Sequence, residues 1–369
     1  MRRRDFVNQQ NNQYDKNNQN SSTEGAVHKR RVRYKGTHPR AFHEKYKEAN
    51  PEKYADTIEK VIRKGSTPAG MHISIMVEEI LEVLKIQPGE QGLDATLGYG
   101  GHTQAMLQCL NGQGHIYALD VDPIESVKTE KRLADKGFGT EILTIRRTNF
   151  ANIDEVAKEA GKFDFVLADL GVSSMQIDNP ERGFSYKVDG PLDLRLNPEQ
   201  GESAAQRLRS LSQEEFVYMM QENSDEPYAK EIARTVFGQM RKGQYIETTT
   251  DLKNAIEKAL ESVPAKERAE AVKKSCARVF QALRIDVNSE FEVLYDFLEK
   301  LPDVLSPGAR VAILTFHSGE DRLVKKSFKQ LAKAGVYSEV SEDVIRPSAA
   351  ECNRNPRAKS TKLRWAIKA

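Results

Sequence analysis

Cysteine is scarce in this chain. Three occur in 369 residues, Cys109, Cys276 and Cys352, and they stand too far apart for zinc-ligand spacing. That argues against a structural metal site and for a reducing, cytoplasmic setting. Long apolar runs are missing too. No stretch of about eighteen apolar residues exists, so no membrane-spanning helix is expected. Three arginines follow Met1, but no apolar core of a secretory signal comes after them. A large net charge is also absent, at +2, yet this balance conceals an asymmetry. Residues 1–64 carry a net +8, the other 305 a net −6, and within those the last 24, from Arg346 to Ala369, carry +6. An acidic body with basic ends can meet phosphates without reading sequence; a solvated tail is the plainer alternative.

What is present divides by composition. Ten of the first twenty residues are Asn or Gln, a polar tract that cannot build a core and is expected to be disordered. Val27 to Lys47 is basic and interleaved with Tyr34, Phe42 and Tyr46, the mixture that tracks a nucleic-acid backbone and stacks on bases. Tyr54 to Lys64 reads as a short helix, and Gly65 to Gly70 as a linker. Beyond Met71, strand and helix signals alternate. Strands are expected at Gly92–Ala95, His115–Leu119, Glu141–Ile145 and Phe163–Ala168, with helices such as Ile75–Leu84, Thr103–Leu110 and Ile124–Lys136 between them. Such alternation implies an α/β fold with a parallel, doubly wound sheet and right-handed crossovers.

After Asp169 the rhythm stops. Residues 179–274 carry helical patterns (Gln213–Gln221, Tyr228–Arg241, Asp251–Ser262) and no strand signal. The sheet pattern resumes with a helix Asp286–Leu301, a turn at Pro307-Gly308, a strand Arg310–Phe316 and a helix Asp321–Lys333. Tyr337–Val340 and Leu363–Ile367 are expected to close it as a terminal hairpin. Four segments follow: a basic extension (1–66), a first part of the α/β domain (67–178), an inserted helical subdomain for substrate recognition (179–275), and a second part with the basic C-terminal segment (276–369).

Leu93-Asp-Ala-Thr-Leu-Gly-Tyr-Gly-Gly-His102 is the most informative stretch. It reads strand, glycine turn, helix, and Asp120 then ends the next strand. Glycines let backbone approach a ligand closely, and an acidic residue at the second strand's end can accept both hydroxyl protons of a ribose. A dinucleotide fingerprint needs a third glycine to seat pyrophosphate, and Gly98-Tyr-Gly100-Gly101-His102 lacks it. The pattern therefore favours a nucleoside cofactor without pyrophosphate, and S-adenosylmethionine fits. A nicotinamide-dependent oxidoreductase, an RNA-binding protein without catalysis, and a turn with no ligand remain as alternatives. Ligands of such sheets sit beyond the strands' carboxyl ends, where Gly98–His102, Asp120, Phe150 and Asp169 all fall.

Asp169-Leu-Gly-Val-Ser-Ser-Met-Gln176 follows the fourth strand, where Asp169 can accept a hydrogen bond from a substrate amine and Gln176 can bond a cofactor or substrate edge. Arg182 to Arg195 mixes aromatic, acidic and basic residues around glycines and a proline, as expected of a rigid loop at the rim of a site. His317, Ser318 and Asp321 invite a serine-hydrolase reading, but triad members come from separate elements. Ser318 as helix N-cap with Asp321 at the third helical position explains the spacing better.

Together with Leu119-Asp-Val-Asp-Pro123, Asp189-Gly-Pro-Leu-Asp-Leu-Arg195, Phe280 to Glu290, Phe316-His-Ser-Gly-Glu-Asp-Arg322 and Asn355-Pro-Arg-Ala-Lys-Ser360, these stretches resemble, in order, the bacterial 16S ribosomal RNA cytosine-N4 methyltransferases. Met175 stands where that family usually has proline, and Gly319 where it usually has leucine. The resemblance implies a seven-stranded, mainly parallel class I methyltransferase (Rossmann-like) sheet. It implies S-adenosylmethionine as cofactor, held by Gly100, Gly101, His102, Asp120, Phe150, Asp169 and Gln176, with Phe150 against the adenine. It implies ribosomal RNA of the small subunit as partner. Asp169, or a backbone carbonyl of the Leu170–Ser174 loop, is expected to orient the amine, and no metal is expected. Monomer and homodimer both remain open.

Overall fold

Runs rich in Val, Ile and Leu, bounded by Gly- and Asp-bearing turns, form one sheet, and the amphipathic stretches between them form its helices. The computed structural model describes residues 74–369. The expected disordered tract, basic segment and linker lie outside the described residues. The order is α1 (Val77–Leu84), β1 (Gln91–Asp94), α2 (Gly101–Leu110), β2 (His115–Asp120), α3 (Pro123–Ala134), β3 (Leu143–Arg147), α4 (Ile153–Ala160), β4 (Phe163–Asp169) and α5 (Ser174–Asp178). Then come α6 (Ala204–Ser210), α7 (Gln213–Ser224), α8 (Ala229–Met240), α9 (Thr249–Ala259), α10 (Ala265–Val287) and α11 (Glu290–Lys300). The chain ends with β5 (Leu305–Thr315), α12 (Ser318–Lys333), β6 (Tyr337–Val340), α13 (Ala349–Arg354) and β7 (Lys362–Lys368).

The sheet runs β3-β2-β1-β4-β5-β7-β6. β1 to β5 pair in parallel, and β7 runs antiparallel to both β5 and β6. This is the seven-stranded, mainly parallel α/β sheet that the resemblance implies. Both faces are covered, which is why β4 is buried along nearly its whole length. Phe165 and Leu167 pack with Ile80, Met106, Leu107 and Leu133 on one face. Val166 and Ala168 pack with Ile153, Leu294, Phe297, Val324 and Phe328 on the other. The strand order reverses between β1 and β4, so the loops after those strands diverge and leave a crevice at the carboxyl edge. Helices α6 to α10 gather a separate apolar cluster, from Phe184 to Leu283, around Phe216, Ile232, Val236, Leu252 and Ile256.

Several local expectations need correction. The helix expected at Asp286–Leu301 begins at Glu290, because Ser289 takes a left-handed conformation (φ 48°). Ahead of it, α10 runs unbroken for 23 residues, through residues 275 and 276. Asn288 makes the break: its side-chain amide donates to the Leu194 and Arg284 carbonyls, and its oxygen accepts from the Leu196 N–H. Leu194 and Leu196 are 94 and 92 positions away in sequence. Pro307-Gly308 is a bulge inside β5, not a turn before it, and the register against β4 slips there. β6 and β7 pair, but α13 and its flanking loops separate them, so they are no tight hairpin. The N-cap of α12 is His317, with Glu320 at the third helical position accepting from the Phe316 N–H at 2.9 Å. Asp321 instead pairs with Lys362 and Arg364 of β7, at 3.0 and 2.7 Å. Gly319 has a reason of its own, since a Cβ there would come within 2.5 Å of the Phe291 ring.

Candidate active site

The glycine turn after β1 is shaped by its neighbours. The Leu97 N–H donates to the Leu119 carbonyl at 2.7 Å, and the Gly98 N–H to Asp120 Oδ2 at 2.8 Å. Thr129 and Arg132 of α3 then donate to the Gly98 and Tyr99 carbonyls, each at 2.6 Å. Gly100 caps α2 at φ 78°, a conformation that a side chain disfavours, and a Cβ there would meet Thr129 at 2.6 Å. A Cβ on Gly101 would come within 2.0 Å of Ser74 Oγ. The two glycines therefore let the turn pack closely, Gly100 against α3 and Gly101 against Ser74.

That turn borders a cavity of about 480 Å3 at the carboxyl edge of the sheet, a size suited to a nucleoside-sized ligand. Gly100, Gly101, His102, Asp120, Phe150, Asp169 and Gln176 all line it. Residues separated by up to 76 positions thus meet because each ends a strand or begins the helix after one.

Asp120 ends β2, and both its carboxylate oxygens accept backbone N–H groups, those of Gly98 and Asp122, at 2.8 Å each. Burial nevertheless pushes this carboxyl up to about 6. The two oxygens keep free lone pairs for a further pair of donors. Asp169 ends β4. Its backbone N–H donates to Thr96 Oγ1 at 2.7 Å, and its Oδ2 lies 3.4 Å from His102 Nδ1. Its Oδ1 is covered and has no hydrogen-bond partner, although the side chain as a whole keeps 28% of its exposure. Burial pushes this carboxyl up to about 6 as well, His102 opposing and Asp94 and Glu320 assisting. An orphaned acceptor in a roomy cavity is a place for a ligand's donor. Phe150 meets Phe297 edge-on at 5.2 Å between ring centres, which sets the angle of its ring at the cavity wall.

Gln176 has a second occupation. Its Oε1 accepts from the Ser173 N–H at 2.9 Å and its Nε2 donates to Asp122 Oδ2 at 2.8 Å, so most of its hydrogen-bonding capacity is spent inside the protein. Asp122, two residues beyond Asp120, is fully buried. It caps α3 and also accepts from Arg182 Nη1 at 2.7 Å. Arg182 goes on to donate to the Arg195 and Leu196 carbonyls, at 3.1 and 2.8 Å, pinning the rim loop to the crevice side of the sheet.

Sequence reasoning assigned no role in the cavity to Arg284, Glu290 or Glu320, which also line it. Arg284 grips Glu290 with two hydrogen bonds, at 2.7 and 2.8 Å. Burial raises the Glu320 carboxyl, but the His317 ring, the Phe316 N–H and Arg284 outweigh that and hold it low. The resembling stretch Phe280 to Glu290 was the available signal, without a geometry to interpret it. His317 itself lies against Phe291 and Glu320. Asn355, Arg357, Lys359 and Ser360 close one side of the cavity, and Arg357 is held by both Asp178 oxygens at 2.9 and 3.0 Å. No helix among the described residues is long and apolar enough to cross a membrane.

Residues 69–369 match the sequence model of the MraW methylase family. A protein of Lachnoclostridium phytofermentans named ribosomal RNA small subunit methyltransferase H 1 is 72% identical over 343 residues, 93% of this chain and 94% of that one. One of the same name from Agathobacter rectalis is 66% identical over 347 residues, 94% of this chain and 99% of that one. A ribosomal RNA small subunit methyltransferase H from Thioalkalivibrio sulfidiphilus is 38% identical over 317 residues, 81% of this chain and 98% of that one. The first two matches extend into the segment ahead of residue 69.

Proposed function

The chain belongs to the MraW methylase family, and from that premise we propose that it transfers a methyl group to the exocyclic N4 amine of a cytosine in small-subunit ribosomal RNA. It is an S-adenosylmethionine-dependent methyltransferase of that RNA. The observation that carries the reading is the convergence of the glycine turn, Asp120 and Asp169 on one cavity at the switch point.

The cavity fits the cofactor in three respects. The turn at Gly100 and Gly101 presents backbone to the cavity, Asp120 offers free lone pairs, and one oxygen of the Asp169 carboxyl, Oδ1, has no hydrogen-bond partner. S-adenosylmethionine supplies an electrophilic sulfonium methyl. Asp120 accepts the ribose hydroxyls, Phe150 lies against the adenine, and Gly100, Gly101 and His102 border the rest. Gln176 acts mainly as a brace through Asp122. Asp169 orients the amine, since the N4 lone pair is conjugated with the ring and must be turned toward the methyl. Such orientation can lower a barrier by about 7–11 kcal/mol.

The base must leave its stack, at a cost of a few kcal/mol. Basic contacts from residues 1–66 and from the C-terminal segment offset that cost, and the helical subdomain of residues 179–275 recognises the RNA around the target. The enzyme works in the cytoplasm, as monomer or homodimer. The test is to delete the gene and map N4-methylcytidine across ribosomal RNA, then restore it with the purified protein on small subunits. Loss at one small-subunit cytosine is expected. An unchanged map would overturn the substrate.

A further inference from the structure

His102 makes a hydrogen bond through one ring nitrogen and faces a carboxylate with the other. Its Nε2 lies 2.9 Å from the Ile75 carbonyl oxygen, which has no proton to give, so Nε2 bears the hydrogen and donates it. The other nitrogen, Nδ1, is 3.4 Å from Asp169 Oδ2. A neutral ring in this tautomer would turn a bare lone pair toward a carboxylate, and the two would repel. The contact is attractive only when the pair holds one extra proton. Three charged groups act on the Asp169 carboxyl: Asp94 from β1 and Glu320 from α12 oppose its ionisation, and His102 from α2 favours it.

We propose that His102 is a positioning residue for proton transfer: it keeps Asp169 ionised so that Asp169 takes the proton released when the cytosine amine is methylated. This rests on the function proposed above. In the step, the N4 lone pair forms the new nitrogen–carbon bond. The methyl carbon–sulfur bond breaks with its electron pair staying on sulfur, and the nitrogen becomes positively charged. One N4–H bond then breaks, its electrons return to nitrogen, and the proton goes to the Asp169 carboxylate. Asp169 alone changes protonation in this step, from carboxylate to carboxylic acid. Asp169 returns its proton to water once the product leaves.

The experiment has two readouts. The first is single-turnover methylation of small subunits at saturating cofactor, from about pH 5 to 9, for the native enzyme and His102→Asn. The native rate should fall as pH drops through about 6, where Asp169 becomes protonated. In His102→Asn that limb should move up by about one pH unit or more, since a neighbouring positive charge is removed. A raised KM for S-adenosylmethionine with the limb unmoved would reduce His102 to a cofactor contact and overturn the proposal. The second readout needs neither turnover nor variant stability. In the native protein without cofactor, nuclear magnetic resonance should show the Asp169 carboxyl carbon titrating near 6 and the His102 ring nitrogens reporting that same Asp169 transition. Independent transitions would overturn the pairing. A native enzyme that methylates no cytosine defeats the function reading and the transfer step with it, while the resonance experiment still judges the pair.

Discussion

At the scale of single residues, the site uses carboxylates whose surroundings oppose their charge. Asp120 ionises only near 6 because burial outweighs its two backbone hydrogen bonds. As the ionised form is the better acceptor for ribose hydroxyls, cofactor affinity should be flat above neutrality and weaken as pH falls through about 6. Asp120→Asn should lose charge-assisted hydrogen bonds worth about 1.5–3 kcal/mol, roughly a tenfold to hundredfold rise in Kd, and its affinity should vary less with pH across that range, the remainder coming from Asp169. Calorimetry with S-adenosylmethionine measures both. The place of Asp120 in the cavity wall was legible beforehand because it follows from a short-range rule: strand, glycine turn, helix, strand, acid. The Asp169–His102 pair was not, because 67 positions separate the two and only the sheet brings them together.

At the scale of elements, the two sides of the crevice are braced by charge. Asp122 is buried, caps α3, and receives both Gln176 and Arg182. Removing Arg182 would strand a buried carboxylate, a change that typically costs about 3–5 kcal/mol. Arg182→Met should therefore lower the thermal midpoint sharply, and adding Asp122→Asn should recover part of the loss. Thermal denaturation of the single and double variants tests this, and strictly additive losses would show that the two groups do not communicate. Element boundaries followed the same logic of range. Ser173, Ser203 and Ser212 cap their helices through local capping boxes with Gln176, Gln206 and Glu215. The break between α10 and α11 depends on Asn288 reaching residues 194 and 196, and no local pattern announces it.

At the scale of the molecule, charge and shape divide the labour. The sheet supplies the crevice, and the helices α6 to α10 bury a core of their own beside the loops that rim it. The net +8 of residues 1–64 is the largest local excess in the sequence. Deleting residues 1–64 should leave cofactor affinity unchanged and reduce the slope of log RNA affinity against log salt concentration, because each lost phosphate contact removes released counterions. Filter binding across a salt series measures the slope, and an unchanged value would make the segment a bystander. Relatives at 72% and 66% identity share part of this segment, which the family model leaves out.

Composition and spacing alone determined the α/β alternation, the nucleoside character of the site and the strand-end positions of its acids. Periodicity and glycine turns are written within a few residues of one another, and a parallel sheet places every strand's carboxyl end on one edge. Only the tertiary structure decided which groups face each other there. Hydrogen bonds such as Arg182 to Asp122, and a contact such as His102 to Asp169, join residues distant along the chain. Their protonation and strength depend on burial, a property of the packed molecule and of no segment within it.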